Sequence, residues 1–189
     1  LEEARKALIV EDHGNKLAFI GCNPAGPASD WATDSMAGSA PCDLDWEAAE
    51  ISRLREQGYL PIATFQYMES YDSVPGPAQV RDFRKVSEAG AVIVSGSQAH
   101  YPQAFEFIGD KLIHYGLGNL FFDQMDPLIN GIRIAGTRWE FIDRHIFYDG
   151  KYLGVDLVTA MLEDYARPRL MTTEERVSLL GKIFTASGW

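Results

Sequence analysis

Three short stretches of this chain hold side chains able to bind a cation, move a proton or grip a polar ligand. His100 closes the run Ser95-Gly96-Ser97-Gln98-Ala99-His100, Glu69 closes Gln66-Tyr67-Met68-Glu69, and Asn119, Asp123 and Gln124 follow Tyr115-Gly116-Leu117-Gly118. Neutral imidazole ligates metals and accepts protons near neutral pH, so His100 is a candidate metal ligand or general base. Its plain alternative is a histidine hydrogen-bonded within its own loop. Glu69 is a candidate cation ligand or proton-transfer group, against the reading of an ordinary exposed carboxylate. Gln66, Tyr67, Ser97, Gln98 and Asn119 offer hydrogen bonds to a substrate, although Asn119 in Gly-Leu-Gly-Asn equally suits a turn with positive φ. Tyr67, Tyr71, Tyr101 and Trp31 are natural stacking groups for a sugar or peptide. His13, in a turn, and His114 and His145, in strands, read as structural.

These groups sit where strands end. The apolar run Ala91-Val92-Ile93-Val94 stops in small and polar residues, and open α/β sheets place ligands beyond the carboxyl ends of their strands. Upstream, Ala7 to Glu11 and Lys16 to Cys22 read as a hairpin across Asp12-His13-Gly14-Asn15. Asp45 to Gln57 reads as a helix ended by Gly58, Leu60 to Phe65 as a strand, Tyr67 to Pro77 as a loop, and Ala78 to Ala89 as a second helix. Helices and strands thus alternate as in an α/β layer. Downstream, hairpins are expected at Ala104–Ile108 with Lys111–Tyr115, and at Trp139–Tyr148 with Tyr152–Met161. Gln124 to Thr137 is an irregular excursion. Thr173 to Ser187 reads as a terminal helix capped by Thr172 or Thr173, with Glu174 and Glu175 in its first turn.

Composition bounds the partners. The 189 residues carry a net charge of −10, which argues against a nucleic-acid backbone or an anionic membrane. Arg81, Arg84 and Lys85 could make a local positive patch, or simply a solvated helix face. No apolar run reaches the roughly 20 residues of a membrane span, and no signal-peptide pattern opens the chain. Leu1 to Leu8 reads as the later part of an amphipathic helix without a cap, so the chain is expected to be one domain over residues 1–189, the C-terminal part of a larger domain. Cys22 and Cys42 flank a loop rich in Gly, Pro, Ala and Ser. A bridge there would contribute about 3 kcal/mol; two buried free thiols are the alternative, and export would favour the bridge.

No Gly-rich phosphate loop, Cys-x-x-Cys, His-Glu-x-x-His or Gly-x-Ser-x-Gly elbow is present. The strand-end residues do resemble the bacterial capsule-synthesis CapA, or poly-γ-glutamate synthesis, family of the calcineurin-like metallophosphoesterase superfamily. The family pattern Gly-Ala-Asp-x-Val-x-Gly-His-His-Pro-His, then Gln and a hairpin ending Tyr-Ser-Leu-Gly-Asn-Phe-x-Phe-Asp, is similar to Gly90–His100, Gln103 and Tyr115–Asp123. Its His-Trp-Gly-x-Glu-Tyr loop and following Pro-x-Pro-x-Gln are similar to Phe65–Ser70, then Pro75, Pro77 and Gln79. The chain departs from that pattern at Phe65 and Gln66, where a histidine precedes the Trp-Gly, and at Ser97 and Gln98, where two histidines stand.

The resemblance implies the C-terminal portion of a metallophosphoesterase-like α/β/β/α sandwich, with alternating helices and strands followed by hairpins and a terminal helix. It implies a divalent metal ion held by His100 and Glu69, with early family motifs upstream of Leu1. A two-metal site needs several carboxylate and imidazole ligands, so this chain would hold at most a reduced one. Two functions follow from the resemblance. One is an exported metal-dependent hydrolase or transferase acting on poly-γ-glutamate or a related capsule polymer, with His100 and Glu69 catalytic. The other is a non-catalytic cell-surface component that binds or assembles such a polymer. The implied partners are an anionic peptide or polysaccharide and the N-terminal portion of the same protein.

Overall fold

A computed structural model describes residues 1–165 and 167–189. The chain begins with a short helix, α1 (Glu2–Arg5), and a hairpin of β1 (Leu8–Asp12) and β2 (Asn15–Cys22). There follow α2 (Leu44–Glu56), β3 (Leu60–Ser70), α3 (Pro77–Glu88), β4 (Ile93–Ala99), β5 (Phe105–Ile108) and β6 (Lys111–His114). Two short strands, β7 (Leu128–Ile129) and β8 (Ile132–Arg133), precede β9 (Trp139–Tyr148), β10 (Lys151–Glu163), β11 (Arg167–Leu170) and α4 (Thr173–Ala186). The fold is mixed α/β, as the alternating pattern predicts.

Six strands form one sheet in the order β1-β2-β3-β4-β6-β5, and β11-β10-β9 form a second. The four inner strands of the large sheet run parallel, with β1 and β5 antiparallel at its edges. Parallel neighbours require crossovers, and α2 and α3 provide two of them. Both are started by their sequence: Asp43 caps α2 by accepting from the Trp46 amide at 3.2 Å, and Pro77 opens α3 with its φ already helical.

Period-two alternation sorts the side chains of the large sheet between two cores. Ala63, Phe65 and Tyr67 of β3 turn to the helical side, where they pack with Ile51, Phe83, Val86 and Val94. Leu60 and Ile62 turn the other way, toward Phe141 and Tyr152 of the second sheet and Leu179 and Ile183 of α4. A capping box between Thr172 and Glu175 starts α4. Arg176 anchors it by donating to the Leu157 carbonyl at 2.6 Å. This cover does not extend along the whole large sheet: toward the carboxyl end of β3, Thr64, Gln66 and Met68 are exposed.

One expectation needs correction. The strands do not stop at Phe65 and Val94. β3 continues to Ser70 and β4 to Ala99, paired in parallel through Gln66↔Ser97 and, after a register shift, Ser70↔Ala99. Polar residues hold these strands because each has a neighbour supplying the ladder hydrogen bonds. Of the two readings of the basic residues on α3, the structure favours the solvated helix face: Arg81 pairs with Asp82, Arg84 with Glu106 and Lys85 with Asp45.

Candidate functional site

At the end of β4 the chain delivers His100, whose backbone amide donates to the Ser70 carbonyl at 2.8 Å and so ties it to the end of β3. Its side chain is buried except for one edge. Nδ1 lies 2.9 Å from Asn119 Oδ1, and Nε2 lies 3.4 Å from Glu69 Oε1. Asn119 is itself oriented, because its Nδ2 donates to the Thr137 carbonyl at 2.9 Å. That bond leaves Oδ1 as the acceptor toward His100, so Nδ1 donates to it and Nε2 is the nitrogen that faces Glu69.

Aromatic rings fix the imidazole plane. Tyr71 stacks on His100 at 5.2 Å between centroids and Phe122 at 5.0 Å. The Tyr71 hydroxyl donates to Glu69 Oε1 at 2.6 Å and accepts from Gln124 Nε2 at 2.9 Å. Burial, reinforced by the bond to Glu69, pushes the Tyr71 phenol above its ordinary pKa, which keeps it a donor. Glu69 remains more than half exposed, its side chain 56% accessible. Its carboxylate and His100 Nε2 form a polar edge facing solvent, suited to a cation or to a polar group of a ligand.

Beside this pair, Gln66, Ser97 and Gln98 form their own network across β3 and β4. Gln66 Nε2 donates to Gln98 Oε1. The Ser97 hydroxyl lies 2.6 Å from Gln66 Oε1 and 3.1 Å from the Phe65 carbonyl, and its single hydrogen serves one at a time. Gln98 adopts φ 78°, a left-handed conformation unusual for a residue with a side chain. Gln66 and Ser97 line a cleft of about 410 Å³ with Gly21, Cys22 and Thr64.

Tyr67 does not join either group. It shares the parity of Ala63 and Phe65, is buried on the helical side and donates to Asp82 Oδ2 at 2.8 Å. Burial and that bond push its phenol up to about 12. Tyr101 packs on Trp139 instead of on His100, and Asp123 is exposed. Phe122 and Thr137 are the contributors sequence reasoning missed. Phe122, three residues past Asn119 in an apolar run that ends exposed, carried a signal; Thr137 acts through its backbone carbonyl, which no residue type announces.

The donor set answers how a metal would fit. His100 Nε2 and Glu69 Oε1 span one edge of a coordination sphere, whereas catalytic zinc takes three protein ligands and a dinuclear centre more. Among the described residues, the groups of three His, Cys, Asp or Glu with ligand atoms within 4.8 Å come down to Cys22, Cys42 and Glu47. There the two cysteines form a disulfide, Cα to Cα 4.9 Å. The described residues therefore do not fit a dinuclear centre.

The protein is thus an α/β protein with a histidine–carboxylate pair at the carboxyl ends of parallel strands. It belongs to the bacterial capsule synthesis protein family PGA_cap, whose pattern matches residues 1–124. It is 30% identical over 116 residues to the capsule biosynthesis protein CapA of Bacillus anthracis, covering 59% of this chain and 28% of that protein. It is 26% identical over 125 residues to the PGA biosynthesis protein CapA of Bacillus subtilis, covering 66% of this chain and 33% of that protein. The matched region therefore spans no more than about a third of either relative. Among solved structures, the sulfate thiohydrolase SoxB of T. thermophilus, in complex with glycerol, superposes with a TM-score of 0.45 at 12% identity, over 95% of this chain and 28% of that one.

Proposed function

We propose that this chain is part of a capsule-biosynthesis protein that works at the cell envelope on an anionic capsule polymer of the poly-γ-glutamate type, by hydrolysis or transfer at the His100–Glu69 pair. Membership of the capsule family and the two CapA relatives support the polymer class. One observation carries the site: Asn119 Oδ1 accepts from His100 Nδ1, which turns Nε2 toward Glu69 and solvent. Such an oriented base is the arrangement general-base or ligand chemistry requires. A divalent metal, where one takes part, would have His100 and Glu69 as its ligands from this chain and would supply Lewis acidity. The rest of the same protein would supply the remaining ligands. The Cys22–Cys42 disulfide supports a location outside the cytoplasm. No helix among the described residues is long and apolar enough to cross a membrane.

A second reading has its own support. Phe65, Ser97 and Gln98 stand where the resembled family pattern has imidazoles; a phenyl ring, a hydroxyl and an amide are poor ligands for transition metals, and the Gln98 amide oxygen is taken up by Gln66. On this reading the protein binds and organises the polymer without cutting it. One experiment separates the two. The purified protein is incubated with poly-γ-glutamate, with and without added manganese or zinc. Chain length is followed by size-exclusion chromatography and new amino termini by labelling, for wild type and His100→Ala. Cleavage or transfer lost in His100→Ala supports the first reading. Retention of an uncut polymer supports the second, and neither binding nor cleavage defeats both.

A further inference from the structure

A buried carboxyl group sits against the disulfide. Glu47, on the first turns of α2, is 4% exposed, and its carboxylate oxygen, Cys22 Sγ and Cys42 Sγ all lie within 4.8 Å of one another. The surroundings strengthen its hold on the proton: burial pushes it up to about 7, and the adjoining Asp43 carboxylate adds to this. The Asp43 backbone amide, which donates to Glu47 Oε1 at 3.3 Å, and Arg5 of α1 act in the opposite sense. The two cysteines differ in exposure as residues, Cys22 being 7% exposed and Cys42 half-buried. Cys22 ends β2 and lines the same cleft as Gln66 and Ser97. The disulfide also closes the irregular segment 23–41, whose two ends are joined by the Asn23 amide donating to the Ala40 carbonyl at 2.8 Å.

We propose that Cys22–Cys42 is a thiol–disulfide exchange site in which Glu47 supplies the proton to the leaving sulfur. A thiolate of an external dithiol attacks the Sγ of Cys42, the less buried of the two residues. The sulfur–sulfur bond breaks, a mixed disulfide forms on Cys42, and Cys22 departs as a thiolate that takes the Glu47 proton. The second thiol of the reductant, as its thiolate, then attacks its own sulfur in the mixed disulfide. This releases Cys42, which takes a proton from solvent, and the dithiol leaves as a cyclic disulfide. Two electrons pass from dithiol to protein. The reductant's two protons go to solvent, and Glu47 regains one from there. Without a donor at hand, the departing thiolate would be stranded in an apolar pocket, where burial raises thiol pKa and disfavours the anion. Reduction frees segment 23–41 beside the Gln66–Ser97 cleft, so the redox state of the pair controls one wall of that cleft.

The test is the rate of disulfide reduction by dithiothreitol between pH 5.5 and 8.5, read by thiol labelling and divided by the dithiothreitol thiolate concentration at each pH. In wild type this normalised rate is expected to fall about tenfold or more as Glu47 loses its proton near pH 7. Glu47→Gln keeps an oxygen to accept from the Asp43 amide but has no acidic proton, and its normalised rate should be low and flat. A purely structural role for Glu47 would change stability without removing the pH step. If the Gln variant does not fold, the wild-type profile decides alone. A flat wild-type profile, or a step that survives in Glu47→Gln, overturns the proposal.

Discussion

Nδ1 of His114 lies 2.6 Å from Oδ2 of Asp143, and the contact joins β6 of the large sheet to β9 of the small one. Both side chains are closed off, at 0% and 4% exposure, with Phe105 and Phe141 packed edge-on against the imidazole. In this seam of Leu, Ile and Phe the pair is a buried polar link between the two sheets, which the Gly150 amide also joins by donating to Asn15 Oδ1 at 2.9 Å.

Removing one member strands the other in an apolar environment, which typically costs about 3–5 kcal/mol, whereas replacing both with apolar residues costs much less. Asp143→Ala should therefore lower the unfolding free energy by about 3–5 kcal/mol in urea titrations, and His114→Leu/Asp143→Leu by clearly less. Equal losses in the single and double variants would show that the seam depends on volume and not on the pair.

The orientation of His100 depends on Asn119 in the same testable way. Long-range nitrogen–proton correlation spectra at pH 8 should show the His100 hydrogen on Nδ1 in the wild type, because Asn119 Oδ1 accepts it. In Asn119→Ala the acceptor is gone, and the Nε2–H tautomer should gain population. The variant also loses the bond to the Thr137 carbonyl, and destabilisation of about 1–3 kcal/mol is expected. An unchanged tautomer would mean that Tyr71 and Phe122 alone fix the ring.

Local chemistry explains what the sequence made legible. Asp149 and Gly150, at φ 49° and 69°, form the tight turn that Asp-Gly predicts between β9 and β10. The helices start and stop within a residue or two of the positions their caps indicate, because caps are local. His100, Glu69 and Asn119 also stood out, as strand-end residues able to do chemistry. The polar ends of β3 and β4 did not read as strand, since Gln66 to Ser70 and Ser95 to Ala99 owe their pairing to each other across some thirty residues. Tyr67 was legible in retrospect: it shares the parity of Ala63 and Phe65, which assigns it to the core. The meeting of His100 with Phe122 and with the Asn119–Thr137 bond arises from tertiary packing of a segment whose sequence has no periodicity.

Gly96 marks a close approach. A Cβ there would run into the backbone carbonyl oxygen of Tyr115 and come within 3.0 Å of the Phe83 ring. The carbonyl belongs to the neighbouring strand's end and Phe83 is fully buried, so neither yields easily. Gly96→Ala should cost about 3 kcal/mol, the upper end of ordinary overpacking. For a chain of this size that corresponds to roughly 6–12 °C in Tm, readable by calorimetry. A shift of a degree or two would show that β4 and β6 separate readily at this point, which would loosen the base from which His100 projects.

Glu140 gives stability an unusual pH dependence. It lies on β9 at 1% exposure, bridged through its backbone to Gly118 next to Asn119, and neither carboxylate oxygen has a hydrogen-bond partner among the described residues. Burial pushes it up from an ordinary 4.5 to about 7. Between those two values the folded protein holds a proton that the unfolded chain has released, so stability falls as pH rises through this window and levels off above it. One such group contributes a slope of about 1.4 kcal/mol per pH unit, and Glu47, pushed up to about 7 by its own burial, contributes in the same direction. Glu140→Met removes one of the two contributions while filling a similar volume. Urea unfolding should show the variant close to wild type near pH 5 and ahead of it by on the order of 3 kcal/mol at pH 8. If its advantage does not grow with pH, Glu140 is already ionised in the folded protein. The strand beneath Gly118 and Asn119 would then carry a buried charge beside the His100 site.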